Sequence, residues 1–372
     1  MKRRVCRMLI IFVFLITFSG CYVKSEIIDE LSIIRAIGYD IDGMDKKIRI
    51  TVTFPTFTEQ ISEQMLEQVS LSAVGETPRA VINHLNNRSQ KPLVTGQLRV
   101  ALFGEPLAKE GLEPYILPLY RDPTVGNRIL MAVVEDGQAY DILKGTVGTG
   151  EQVGVYIPDF LDQNQTHGQV PRTNLHEYLF SMYSDVRDPV LPIIKTLGDE
   201  NIEIAGLALF SRDKMVDQLS LEQSFYLKLM RKRSDHSFQE FYVEEIKQKW
   251  PVVIEVLKSN IHKKYTEKGD TKTVKYKLDI VTTIFDTTSS VNLYTGNDIE
   301  KIEKAVKEDI EERCKELLYH FQELKIDPVG AGEIYRSKHR DWNVESWENE
   351  IYQSLQFEVE ADVRISQTGA IE

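Results

Sequence analysis

Apolar positions recur with a period of two along some stretches of the chain and of three to four along others, and the switches between the two lay out its elements. Leu31 to Tyr39 and Lys47 to Phe54 are β-rich and flank Asp42-Gly43, a turn pair, so a β-hairpin is expected there. A helix is predicted over "TPRAVINHLNNRS", with Thr77 as N-cap, Pro78 at the first helical position and Ala80, Val81, Ile82 and Leu85 on its apolar face. His84 falls on its solvent side. The stretches Leu98 to Gly104, apolar but for Arg99, and Ile129 to Val134 read as buried strands. A helix through "EPLAKEGLEPYILPLY" separates them and a short helix in "GQAYDIL" follows. This alternation predicts a mixed α/β domain ending near Leu143.

A second block holds helical "TNLHEYLFSMYSDV", strands around "VLPIIKTL", "IEIAGLALF" and "KMVDQLS", and a helix "LEQSFYLKLMRKRS". The basic run Arg231 to Arg233 is expected to be a solvated helix end favoured by the helix dipole. In the last block, "VVIEVLKSNIHKKY" and "KTVKYKLDIVTTIFD" alternate lysine with apolar residues, as strands with one wet face do. Between them and a final strand runs the strongest helix signal, from Asn297 to Leu324. Ile299, Ile302, Val306, Ile310, Leu317, Phe321 and Leu324 fall on one stripe, and Asn297 or Asp298 caps its start. Glu300 with Lys304, Glu303 with Lys307, and Glu311 with Lys315 are expected to pair on the wet side. The fold class is thus α+β, or mixed α/β: three consecutive domains at 21–145, 146–235 and 236–372, each a sheet with flanking helices, behind a segment 1–20 of a different kind.

That first segment carries Lys2, Arg3, Arg4 and Arg7 ahead of an apolar run from Met8 to Gly20. The run is shorter than the roughly 17–25 residues that span a bilayer, and small residues close it, so it reads as an export signal rather than a membrane anchor. "F-S-G-C" at Phe18 to Cys21 resembles the bacterial lipobox, with Phe18 where leucine is usual, which marks Cys21 for diacylglyceryl attachment and cleavage just before it. The chain has three cysteines in all. Cys6 leaves with the signal and Cys21 takes lipid, so Cys314 is alone in the body and an intrachain disulfide is ruled out. Its place in the late helix's apolar stripe makes it a small core residue.

Net charge is −12, and cleavage of the basic head makes the rest more acidic still. Such a chain is no nucleic-acid binder, and a lipid anchor rather than a basic face would hold it to a membrane. Recognisable catalytic signatures are missing from the sequence: Gly-x-Ser-x-Gly, His-Glu-x-x-His and clustered Cys/His. "GTVGTG" at Gly145 to Gly150 lacks the Gly-Lys-Ser/Thr end of a P-loop and reads as a linker. "DIDGMD" near Asp42 has its glycine two places too early for a calcium loop. The histidines are scattered, His167 and His176 flanking one loop. No catalytic, metal or cofactor residues are assigned, and no cofactor is expected.

Taken together, several stretches resemble the GerAC-type, or Ger(x)C, spore-germination lipoproteins. "EIIDELSIIRAIGYD" from Glu26 to Asp40 is similar to the family's acidic-apolar run leading to a strand that ends in Gly-x-Asp. Arg121 and Asp122 match an Arg-Asp pair before a strand, and Gly206, Ala208 and Phe210 match a Gly-x-Ala-x-Phe strand. Near the end, Asp327, Gly330, Gly332, Trp342, Trp347 and Gly369 follow in the family's order, with Val329 and Ala331 where phenylalanines commonly flank the glycines. The glycines suit a tight turn after the long helix and the tryptophans suit core anchors.

The resemblance implies a fold of three α/β domains and a non-enzymatic C subunit of a nutrient-germinant receptor. It would act on the spore inner membrane, outside the bilayer, with membrane-embedded A-type and B-type partner subunits. The alternative class is a lipid-anchored solute-binding protein of a transporter, which would be built from two doubly wound lobes around a ligand cleft.

Overall fold

The computed structural model describes residues 30–43, 45–60, 63–145, 150–198, 201–231, 236–245, 248–287 and 296–368. Cys21, the signal segment and Gly369 lie outside the described residues, as does most of "GTVGTG". The strands are β1 (Ser32–Ile33), β2 (Ala36–Asp42), β3 (Lys47–Gln60), β4 (Glu63–Gly75), β5 (Leu93–Val94), β6 (Val100–Gly104) and β7 (Leu130–Val134). They continue with β8 (Val190–Leu197), β9 (Asn201–Ser211), β10 (Lys214–Ser220), β11 (Ser237–Glu245), β12 (Gln248–Lys268), β13 (Thr271–Thr287) and β14 (Gln356–Thr368). The helices are α1 (Pro78–Asn86), α2 (Glu105–Glu110), α3 (Glu113–Arg121), α4 (Ala139–Lys144), α5 (Val153–His167), α6 (Leu175–Met182), α7 (Leu221–Arg231), α8 (Gly296–Glu323) and α9 (Ala331–Lys338), followed by three short helical turns at Val344–Ser346, Trp347–Ile351 and Tyr352–Ser354.

Eight strands form one sheet in the order β10-β9-β8-β7-β6-β2-β3-β4, four form a second in the order β11-β12-β13-β14, and β1 pairs with β5 in a small third. The structure is mixed α+β, each main sheet being flanked by helices. The boundary expected at 145/146 crosses the large sheet, because β7 and β8 pair in parallel, though only through Val133 with Ile193 and Val134 with Ile194. The two N-terminal blocks therefore share one ladder across a narrow seam. The four-stranded sheet is an antiparallel run closed by β14, parallel to β13, and not a doubly wound lobe.

Alternation along β6 and β7 divides the large sheet's core in two. Ala101, Phe103, Met131 and Val133 face α1, α2, α3 and α6, while Val100, Leu102, Ala132 and Val134 face α4 and α5. The second face runs on without a break through α7 into the inside of the four-stranded sheet and onto α8. Two units thus share one continuous core. Helix α7 is its bridge, buried from Ser224 to Arg231.

That bridge corrects one expectation: Arg231 is 8% exposed, not a solvated helix end, because α7 is covered by both units. Cys314, fully buried on α8, packs in the core as predicted, its thiol pushed well above the ordinary value by burial. The predicted ion pairs on α8 are replaced. Glu303 accepts from the Ile365 amide (2.8 Å) and Glu311 from the Ala361 amide (2.9 Å), so both glutamates cover the free edge of β14. Lys304 pairs instead with Glu308 and Lys307 with Glu311. The single helix expected from Glu105 to Tyr120 is two, broken at Gly111, whose φ of +130° suits glycine and leaves no room beside Asp213.

Candidate functional site at the junction of the two units

Asp327, just beyond the long helix α8, is 5% exposed. Its carboxylate accepts the amides of Gly330 (2.8 Å), Ala331 (2.9 Å) and Gly332 (2.8 Å), closing the N-terminus of α9. Gly330 makes the turn in a left-handed conformation, φ +80°. Asp327 is also tied across to the N-terminal unit. Its amide donates to the Asp188 carboxylate (2.7 Å), and the Asp188 amide donates back to the Asp327 carbonyl (3.1 Å). The other Asp188 oxygen accepts from the Arg212 amide (3.2 Å).

Three cations gather around this clasp. Lys263 donates to the Val329 carbonyl (2.5 Å), and Arg187 lies 3.6 Å from Glu333 on α9. Arg231 is close enough to Arg187 to be repelled by it. Burial is the largest influence on Asp327, Asp188, Lys263 and Arg231. It raises Asp327 despite the three amides and Lys263, and lifts Asp188 to about 6. It lowers Lys263 to about 8, and with Arg187's charge lowers Arg231 to about 9. Arg187 Nε, Arg231 Nη1 and the Tyr276 hydroxyl, all buried, find no hydrogen-bond partner among the described residues.

Several of the motif residues singled out in the sequence meet at this junction or at a smaller copy of it. A Cβ at Gly332 would lie 3.0 Å from both the Trp347 ring and Val186, so the glycine lets α9 press against the N-terminal unit. Trp347, 3% exposed, stacks with Tyr335 (5.3 Å) and contacts Trp342 (5.6 Å). Both tryptophans serve as core anchors, Trp342 at the margin. In the N-terminal unit, Asp40 accepts the amides of Ala139 (2.8 Å) and Tyr140 (2.9 Å), closing the start of α4. Gly38, two residues earlier, has Ala139 and Leu143 packed where a Cβ would stand.

The remaining motif residues have local roles. Asp122 accepts from Thr95 (2.6 Å) and Thr124, bonds that hold its carboxyl below the ordinary value against the effect of burial. Arg121 is exposed, and Ala208 and Phe210 are buried in β9. His167 lies beside His236 (5.8 Å between rings) while His176 is at a separate cleft, so the two form no joint site. Among the described residues no three His, Cys, Asp or Glu side chains are placed to hold a metal ion, and no helix is long and apolar enough to cross a membrane.

Arg187, Asp188 and Lys263 escaped the sequence reading because their partners lie far along the chain. One signal was available. Arg121-Asp122-Pro123 recurs as Arg187-Asp188-Pro189, and Asp327 is also followed by proline. Beside the clasp, an open cleft of 950 Å³ separates α6 from α9, with Leu179, Phe180 and Tyr183 on one wall and Glu333 and Arg336 on the other.

The chain, two sheet-and-helix units sharing a core and joined at a buried aspartate turn, belongs to the family of GerAC-like spore germination proteins. Residues 24–196 match its "Spore germination protein N-terminal domain" and residues 205–369 match "Spore germination B3/ GerAC like, C-terminal". Among relatives, the chain is 31% identical to spore germination protein GerQC of Bacillus cereus over 98% of both chains. It is 25% identical to the putative spore germination protein YfkR of Bacillus subtilis (strain 168), over 100% of this chain and 98% of that one. The crystal structure of the GerBC protein superposes with a TM-score of 0.56 at 16% identity, covering 89% of this chain and 97% of that one, which supports the fold.

Proposed function

We propose that this chain is a non-enzymatic, lipid-anchored subunit of a spore germinant receptor, required for the germination response to nutrients. The observation that carries the reading is the family match, which extends over both halves of the chain. Cys21, the first residue after the export signal, bears the diacylglyceryl anchor. The anchor places the folded body on the extracytoplasmic face of the spore inner membrane. There it docks on the A-type and B-type integral membrane subunits, and the tether favours docking by raising effective concentration. A body whose two units share one of its two cores suits such a role, since packing couples the units.

The test is a strain carrying Cys21→Ala as its sole copy, with paralogous receptors deleted. Loss of diacylglyceryl labelling together with loss of nutrient-triggered germination is expected. Normal labelling would refute the anchor, and an unchanged germination response with labelling abolished would refute the need for it.

A further inference from the structure

We propose that the cleft between α6 and α9 is a binding site for a small organic carboxylate with an apolar body, its acid group received by Arg336 at the rim and attracted by the buried charge of Arg187, which does not line the cleft but lies behind Glu333. This site stands independently of the receptor assignment. The cleft's 950 Å³ falls in the range of small-molecule sites, about 300–1,000 Å³, and lies between two units, where such sites form preferentially.

The apolar half is concentrated. Tyr120, Phe180 and Tyr183, on the α3 and α6 side, are 50%, 56% and 59% exposed, an unusual cluster of large rings left in water on one concave surface. Tyr183 is held in place, its hydroxyl donating to Glu113 (2.8 Å), so the wall is formed in advance. The polar half comes from α9. Arg336 is exposed, its guanidinium 5.9 Å from the Trp342 ring, and makes no ion pair among the described residues.

Behind it, Arg187 is 9% exposed, yet its nearest carboxylate, Glu333, stands at 3.6 Å, beyond hydrogen-bond distance, and its Nε has no partner among the described residues. A buried guanidinium with an unbonded Nε–H keeps an unspent donor and an uncompensated charge that favour an anion nearby, and Arg231 adds a second positive charge. Glu333 lines the cleft in front of Arg187 with its side chain 41% exposed, so it is free to turn aside when a ligand carboxylate enters. Asp185 and Glu333 are the acids that a cationic ligand would use instead.

The experiment is a ligand-observed NMR titration of the full-length chain in lipid nanodiscs, with empty nanodiscs as blank. The probes are 3-phenylpropionate, 3-phenylpropan-1-ol and 3-phenylpropylamine, which share one apolar body. The propionate is expected to bind about tenfold more tightly than the other two, the worth of one charge-assisted hydrogen bond. Arg336→Gln should weaken it about fivefold and Glu333→Gln should strengthen it, since the competing internal carboxylate is gone. Both side chains are exposed, but Glu333 is the carboxylate nearest buried Arg187, so each variant is titrated only after its urea-unfolding midpoint is matched to the wild-type protein. The proposal is overturned by absence of propionate binding up to about 10 mM, by equal binding of all three probes, by preference for the amine, or by indifference to Arg336→Gln.

Discussion

Asp40 and Asp327 are both buried carboxylates that close the first turn of a short helix, and each is accompanied by a glycine against which a neighbour packs. What surrounds them differs. Asp40 sits on β2 and caps α4 within the N-terminal unit, with Arg49 its nearest cation of note. Asp327 caps α9 in the C-terminal unit while its own backbone is bonded in both directions to Asp188 of the other. The same cap is thus used once to fasten a helix to its own sheet and once to shape a turn whose backbone is bonded to the other unit, and only the second collects Lys263, Arg187 and Arg231 around it.

If that contrast is right, the two carboxylates are unequal in stability. Asp327→Ala strips three amides of their acceptor and leaves Lys263 buried without its counter-charge, so a loss of about 3–5 kcal/mol is expected by urea unfolding. Asp40→Ala strands two amides and should lose about 2 kcal/mol. Equal losses would erase the distinction between local cap and inter-unit clasp.

The ionisation of Asp40 sharpens the comparison further. Burial lifts it to about 6, against the Ala139 and Tyr140 amides and Arg49, with Asp141 adding to the rise. Between roughly pH 4 and 6 the folded state therefore holds a proton that the unfolded chain has released, and stability from this group falls as pH rises through that window. Measured against Asp40→Asn, the wild-type protein should lose up to about 1.4 kcal/mol per pH unit there and change little above pH 7. A flat difference across the window would contradict the buried, raised carboxyl. The smallest effect belongs to Glu303→Ala, which removes one acceptor from the solvent-near edge of β14. It should cost below about 1 kcal/mol and chiefly speed amide exchange at Ile365.

Legibility in the sequence followed the range of the forces involved. The hairpin around Gly43, the buried strands β6 and β7 and the limits of α8 were read from local periodicity, which their burial patterns reproduce. Helix α5 was missed because it is sandwiched against the sheet and carries Gly154 and Pro158, which blur any amphipathic stripe. Strand β4, rich in Gln, Glu and Ser, forms the sheet's outer edge, where an apolar run is not needed. The glutamates of α8 looked like partners for lysines one turn away, but an uncovered strand edge nearby offered them backbone amides. At the junction, the motif residues were visible and their purpose was not. Asp188 and Asp327 are joined across 139 positions, a pairing that no local pattern encodes.

Amide hydrogen exchange on Asp327→Asn and Asp40→Asn tests the clasp most directly. In Asp327→Asn, exchange should accelerate both along α9 and across the junction at residues 186–188 and Arg212, whereas in Asp40→Asn the acceleration should stay within α4 and its contacts on β2. Acceleration confined to α9 in Asp327→Asn, with the Asp188 segment as protected as in the wild-type protein, would contradict the claim that the turn this carboxylate holds, through its backbone bonds to Asp188, locks the two units together.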